Sequence, residues 1–525
     1  MSTTIPRVLV IAGSDSSGGA GVEADQKALY AHGVYAQTVI TALTAQNTLG
    51  VSDVHITPPS FLAKQIDACL SDIGCDVVKI GMLASAATVE VVADKLLEWK
   101  NKNEKGAKAD RIVLDPVMIS TSGAQLLPGD AVRGLLHHLV KDVELVTPNV
   151  PEAVLMLKEG NQEDIRSPTD LDGLKQLAKD VYANLGPRAV LLKGGHVPFK
   201  RQDGKLVKAG NEEEREIVVD VLFDGTDLVL NESAYARSHN THGTGCSLAS
   251  AVAANLALGY ELKKAVRRSI QYVGMGIKKS LDFSKGPGPI NHFHNVQILP
   301  FVEGGFIEYL LDREDVRSVW QKYTCHPFAT QMGDGSLPIG AFKEYLIQDY
   351  LYLTHFARTN ALAAYKSTGM DAITAAAQIV LHIDREMALH LDYCKEFGLS
   401  KGDILAHKES LACTAYSRYV LDIGQSQDGL ALQMSLAPCL LGYGIAAKRL
   451  HTEYRDKHDG NRYWKWIENY VADDYQEAVR VGSDLIERSV IKQSPSRIEE
   501  LISIFIRAAE LEVRFWDFGA HASVG

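Results

Sequence analysis

At 525 residues, 46% of them hydrophobic and 23% charged, the chain has the balance of a folded globular protein and is too long for one ordinary core, so two or more domains are expected. Its 54 basic residues are outnumbered by 65 acidic ones, a net charge of −11 that makes nucleic acid and anionic membrane surfaces poor partners. Seven scattered cysteines with no CxxC pair fit neither a disulfide framework nor a structural zinc site.

In chain order, a strand candidate at Val8–Ala12 runs into GSDSSGGAG (Gly13–Gly21) and then a helix containing Asp25. Glycines let a backbone approach a ligand, and the helix onset favours anions. The spacing is neither that of a GK[ST] loop nor GxGxxG, so an ordinary tight turn is the alternative. Further strand candidates are Val77–Ile80, Arg111–Leu114, Val143–Val146, Ala189–Leu192 and Ile217–Val221, with helical patterns such as Val89–Lys100 and Leu171–Leu185 between them. Continuous apolar runs alternating with helices predict a mostly parallel sheet covered on both faces. The strand ending at Val146 leads into TPNVPEA, placing Asn149 and Glu152 where open α/β sheets bind ligands. Oxygen ligands at this spacing suit a hydrated Mg²⁺, and a solvated loop is the alternative. Residues 201–216 are polar and read as a surface insertion. HNTHGTGCS (His239–Ser247) then opens a helix, where Gly243 and Gly245 can turn N–H groups toward one point and stabilise a transferred phosphoryl group.

The breaker cluster SKGPGP (Ser284–Pro289) precedes a change of period, which sets the expected domains at 1–300 and 301–525. From Phe306 to Phe518 the pattern is almost entirely helical. Phe342, Tyr345, Leu346, Asp349, Leu353 and Phe356 share one helical face, and Leu501, Phe505, Ala508, Glu512 and Phe515 share another. Each stripe therefore carries a carboxylate where apolar residues belong, a mark of perturbed acidity or of a core ion pair. Cys439 follows Pro438 inside a helical run; the proline opens the ladder there, although a cysteine on an apolar helix also serves as a small core residue.

AGSDSSGGAGVEAD, ALTAQNT, KIGMLAS, LDPVM, TPNVPEA, KGGH and THGTGC, in this order and followed by GPGPINHFH, resemble the hydroxymethylpyrimidine and hydroxymethylpyrimidine-phosphate kinases of the ribokinase-like superfamily over residues 7–296. The resemblance implies a pyrimidine pocket lined by Gly13, Asp25, Gln46, Met82 and Val117. It also implies that Lys193, Asp115, Asn149 and Glu152 serve ATP and Mg²⁺, with Gly243, Thr244, Gly245 and Cys246 around the transferred phosphate. Sugar kinases of the superfamily carry an aspartate where Cys246 stands. A thiol at a helix N-terminus would become more acidic and could act as base; a phosphate-ester substrate needs none, and a structural cysteine is the third reading.

Farther on, HPFATQMGDGSLPIGAFKEYLIQDYLYLTHFAR, EMALH, TAYSRY, LAPCLLGYG, RYWKWIENY and ELEVRFWDFG resemble the all-helical TenA/thiaminase II family over residues 305–520. That resemblance implies Cys439 as nucleophile, Glu512 as acid/base and Asp349 on the aminopyrimidine edge, with Tyr352, Tyr416 and Tyr470 around the ring. Asp334, in the GDG turn, reads as structural, and the resemblance implies a homo-oligomer, a tetramer through the helical half. Together the halves resemble fungal bifunctional kinase/thiaminase II proteins: the helical half would release the hydroxymethylpyrimidine that the other half phosphorylates. Another small-ring kinase, such as one for pyridoxal, and a non-catalytic helical module are the competing readings. No signal peptide and no uninterrupted run of 18 apolar residues is found, so a cytoplasmic setting without a membrane span is expected.

Overall fold

In the computed structural model, which describes residues 5–102, 111–118, 127–162 and 165–521, the chain packs as two compact units, Met1–Val296 and Gln297–Gly525. The first contains twelve described strands: β1 Arg7–Ala12, β2 Tyr35–Ile40, β3 Ala42–Asn47, β4 Gly50–Ile56, β5 Val77–Ile80, β6 Ile112–Leu114, β7 Leu145–Val146, β8 Val190–Leu192, β9 Phe199–Gln202, β10 Lys205–Lys208, β11 Ile217–Phe223 and β12 Leu228–Ala234. Ten form one sheet in the order β10-β9-β11-β8-β7-β6-β5-β1-β2, with β12 also on β11; β3 and β4 pair separately. The six strands from β2 to β8 along this order run parallel, and β11 closes antiparallel against β8.

The reason the strands read as unbroken apolar runs is that both faces are covered. Leu9 and Ile11 of β1 join one core with helices Pro59–Asp72, Ala86–Lys102, Gly129–His138, Val150–Glu159 and Leu171–Leu185. Val8, Val10 and Ala12 join the opposite core with helices Gly21–Ala31, Thr244–Ala257 and Leu262–Lys278. A period-2 backbone buried on both sides needs apolar residues at every position.

Two segments singled out in the sequence take definite form. Residues 201–216, expected as a surface insertion, include part of β9 and all of β10, an antiparallel edge hairpin closed by Asp203 and Gly204 at φ 50° and 76°. Positive φ at both turn positions is the type I′ geometry that Asp-Gly favours. Ser284–Pro289, the breaker cluster, is tied into the first unit. Gly288 donates to Asn240 Oδ1 at 3.1 Å and accepts from the His242 N–H at 3.1 Å, so the cluster buttresses the second glycine-rich loop.

The second unit is all-helical. Its centre is helix Gly429–Tyr454, packed against helices Glu314–Thr324, Leu411–Ser426, Trp464–Val471, Asp473–Val490 and Pro495–His521. The segment Gly429–Lys457 is, among the described residues, long and apolar enough to cross a membrane at a mean hydropathy of 1.5, but 72% of that window is buried in the bundle. Its composition is that of a core helix. Pro438 lies inside it and the helix continues past it.

Candidate active sites

In the first unit a cavity of ≈ 560 Å³ opens at the carboxyl ends of the parallel strands. It is lined by Gly13, Gln46, Met82, Asp115, Val117, Asn149, Glu152, Lys193, Gly243, Thr244, Gly245 and Cys246, residues drawn from seven separate stretches of sequence. A second groove of ≈ 1240 Å³, along β12 and helix Leu262–Lys278, shares Ser233–Ala236 and Ile270 with it.

The two glycine-rich loops touch, and backbone packs against Gly21 and Gly243 too closely for any side chain there. A Cβ on Gly243, at φ 76°, would stand 1.9 Å from the Gly19 carbonyl oxygen. A Cβ on Gly13 would stand 2.2 Å from Met82 Cε, so that glycine lets Met82 reach the cavity wall. Asp15 ties the loops together: its carboxylate accepts from the Ser17 and Ala20 N–H groups and meets His242 Nε2 at 2.8 Å. Burial alone would raise Asp15, but the hydrogen bonds from His242, Ser17 and Ala20 hold it well below the usual carboxylate range. Gln46 sits at an irregularity in the β3–β4 register, and its amide lies 3.4 Å from the His242 ring. Such bulges re-aim side chains.

The charged floor is a compensated set. Lys193 Nζ donates to Asp115 Oδ1 at 2.8 Å and lies 3.8 Å from Glu152, and Thr147 also donates to Asp115. Burial pushes Glu152 up to about 7 against the lowering influence of Lys193. Asp220 is pushed up to about 6, also by burial, while it accepts the Gly194 N–H at 2.8 Å. Asn149 and Glu152 form a reciprocal capping box at the start of helix Val150–Glu159, each side chain accepting the other's backbone N–H at 2.8 Å. The Asn149 oxygen expected at a metal is thereby already engaged. Among the described residues no group of three or more His, Cys, Asp and Glu is arranged around a metal position. The two buried carboxylates fit a Mg²⁺ held mainly by phosphate oxygens and water, the usual manner for that ion.

One expectation fails on geometry, and one of the three readings of Cys246 loses support. Asp25 does not line the cavity: it is fully buried, salt-bridged to Lys79 Nζ at 2.7 Å and bonded to Ser250. Cys246 does lie on the cavity wall, but its thiol is not acidified. Burial pushes it up to about 12; Lys79, itself paired with Asp25, opposes this, while Asp25 and Asp115 act in the same direction as burial.

In the helical unit the two inward carboxylates sit in one aromatic cluster. Glu512, on helix Pro495–His521, is 1% exposed and accepts from Tyr416 Oη at 2.8 Å and Tyr443 Oη at 3.3 Å. Burial pushes it up to about 8; Asp349 pushes the same way, while hydrogen bonds from Tyr416, Tyr443 and Cys439 oppose. The half-buried Cys439 thus meets Glu512 directly. Tyr352 stacks on Tyr416 at 4.8 Å, and Tyr443 on Tyr470 at 5.2 Å. Asp349, half-buried, lies 3.8 Å from His390 Nδ1. Asp334 accepts the Ser336 N–H at 2.8 Å, a turn contact.

Residues 15–291 match the phosphomethylpyrimidine kinase family and residues 313–521 the TENA/THI-4/PQQC family. A Schizosaccharomyces pombe protein, provisionally named hydroxymethylpyrimidine/phosphomethylpyrimidine kinase 2, is 42% identical over 98% of this chain and 91% of its own. This chain belongs to the phosphomethylpyrimidine kinase family. A hydroxymethylpyrimidine/phosphomethylpyrimidine kinase of Saccharomyces cerevisiae is 33% identical over 98% of this chain and 95% of its own length, so the two-part organisation is shared end to end. The solved phosphomethylpyrimidine kinase of Clostridium difficile 630 is 35% identical, covering 52% of this chain and 100% of that one, with a TM-score of 0.41.

Relative to the family motifs, the sequence reading missed Asp15, Asp220 and His242 in the kinase-family unit and Tyr443 and His390 in the helical one. Asp15 and His242 lie inside quoted motifs, yet their contact joins positions 227 residues apart. Tyr443 falls on an apolar helix, where its hydroxyl gives no signal distinct from core packing.

Proposed function

We propose that the chain is a bifunctional enzyme of thiamine pyrimidine metabolism. The first unit phosphorylates 4-amino-5-hydroxymethyl-2-methylpyrimidine with ATP to its mono- and then its diphosphate. The second hydrolyses thiamine, or an aminopyrimidine derived from it, to hydroxymethylpyrimidine. The observation that carries this reading is the convergence of both glycine-rich loops, Lys193, Asp115 and Glu152 on one cavity that also exposes Gln46, Met82 and Val117.

In the kinase reaction Gln46 and the Gly13 backbone orient the aminopyrimidine. Lys193 and the helix onset at Gly243–Gly245 hold the transferred phosphoryl group, and the adjoining groove takes the rest of the nucleotide. Glu152 and Asp115 would hold Mg²⁺ through water, with Asn149 fixing Glu152; the ion supplies charge neutralisation on the phosphates. Cys246 belongs to the phosphate cradle as a neutral thiol, and the second phosphorylation needs no base because its acceptor is already ionised. In the helical site Asp349 orients the aminopyrimidine between Tyr352, Tyr416 and Tyr470. Cys439 adds to the ring while Glu512 protonates a ring nitrogen or, for an amine substrate, the leaving amino group. The leaving nitrogen departs from the exocyclic carbon, water adds there and gives up a proton, and the thiolate is expelled to restore the ring.

We place the domain boundary near residue 300, so that fragments 1–300 and 301–525 each keep their own activity. We place the protein in the cytoplasm, where its cysteines stay reduced, and expect a tetramer through the helical unit. ³¹P NMR of the purified chain with excess ATP, Mg²⁺ and hydroxymethylpyrimidine should show monophosphate and then diphosphate. Monophosphate that accumulates without any diphosphate contradicts the double-kinase assignment, and turnover of pyridoxal alone would replace the substrate.

A further inference from the structure

The helical unit holds a buried polar group that the reading above leaves unused. Tyr323, on helix Glu314–Thr324, is fully buried, and its hydroxyl makes no hydrogen bond within the described structure. A buried hydroxyl without a partner is destabilising, and native folds tolerate few of them. Phenylalanine would fill the same space without that cost, so packing does not call for a tyrosine.

The surroundings are shaped to receive this ring beside the reactive groups. A Cβ on Gly442, one turn beyond Cys439, would stand 2.0 Å from Tyr323 Cε1; only glycine leaves the room. The ring meets Tyr443 edge-on at 6.0 Å, and the Tyr443 hydroxyl donates to Glu512. After burial, the groups that bear most on Tyr323 are Glu512 and Cys439, followed by Tyr475 and Tyr345. Asp349 bears on Tyr345, Tyr443 and Tyr470, the first two of which also feel Glu512. Tyr323 therefore stands beside the Cys439–Glu512 pair.

We propose that the Tyr323 hydroxyl is a substrate-contacting group of the helical site, hydrogen-bonded to the group exchanged at the reacting carbon: the leaving nitrogen first, and the incoming water after it. This rests on the hydrolase reading above. A donor aimed at the exchanged group contributes more in the transition state than in the ground state, so its loss appears in kcat and little in KM.

The test is Tyr323→Phe in the full-length chain, assayed with the 5-aminomethyl analogue of hydroxymethylpyrimidine and with thiamine. For the better substrate kcat should fall roughly 10–100-fold and KM should change by less than about threefold. The melting temperature should hold or rise, and pyrimidine phosphorylation should be unchanged. Wild-type kcat in the variant overturns the proposal, as does a fall in kcat that accompanies a lowered melting temperature. If the unsubstituted chain itself turns over neither substrate, the hydrolase reading fails instead, and the wild-type control alone reveals it.

Discussion

The two sites handle buried charge in opposite ways. In the kinase-family cavity each carboxylate has a cation or N–H donors: Asp115 and Glu152 share Lys193, Asp15 meets His242, and Asp25 behind the wall pairs with Lys79. In the helical cluster Glu512 is in no ion pair among the described residues. It is surrounded by tyrosine hydroxyls and a thiol, and burial pushes it up to about 8. A site for polyanionic phosphates needs standing charge, which survives in a low dielectric only when paired. A site that must deliver a proton near neutral pH is better served by an acid kept neutral by its surroundings.

That contrast can be broken at either end. The largest effect is expected from Cys439→Ser, which should lower aminopyrimidine hydrolysis by at least ~10³-fold while phosphorylation continues, because a hydroxyl replaces the nucleophilic sulfur. Parallel assays of both activities on one preparation check it. Glu512→Gln keeps the shape but removes the transferable proton, and hydrolysis should fall roughly 10²–10⁴-fold with folding intact. If Glu512 were a structural anchor instead, melting would fall and turnover per folded molecule would not.

In the other unit Lys193→Met should cost roughly 10²–10³-fold in phosphorylation and leave two buried carboxylates without their cation. Removing one partner from such a set destabilises by on the order of 3–5 kcal/mol. The loss should shrink as pH falls through about 7, the value to which Glu152 is already raised, because protonation removes the stranded charge. Denaturant unfolding across pH measures it. The smallest effect is Asn149→Ala, which removes half of the capping box and should cost about 1 kcal/mol, with a modest loss of kinase activity through a looser Glu152. A melting temperature unchanged in that variant would show that the box does not hold the turn.

How much of this was legible in the sequence depends on whether the signal was local. Glu512 and Asp349 stood out because a carboxylate interrupts an apolar stripe at helical spacing, and Glu512 is indeed among the fully buried residues. β1, β5, β6, β7 and β8 were visible as apolar runs because both of their faces are buried. β2, β3 and β4 were not, because they bury only part of their residues and mix polar with apolar positions. Asp25 was placed in the pocket because it lies in a loop motif, yet its helix turns it inward to Lys79, 54 residues away. An acidic Cys246 was one of three readings open to a thiol at a helix N-terminus. Burial and two nearby carboxylates decide otherwise, and neither is a property of local sequence.

The contrast between paired charge and a neutral buried acid is tested most directly by infrared difference spectroscopy of the full-length chain against Glu512→Gln. Glu512 should contribute a protonated-carboxyl stretch at pH 7 that is missing from the variant and titrates away with a midpoint near 8. Stability attributable to this group should fall as pH rises from its ordinary 4.5 toward 8, since the folded form keeps a proton the unfolded form has lost. A protonated band absent at pH 7, with a midpoint near 4.5, would mean that Glu512 is an ordinary carboxylate and would contradict the account.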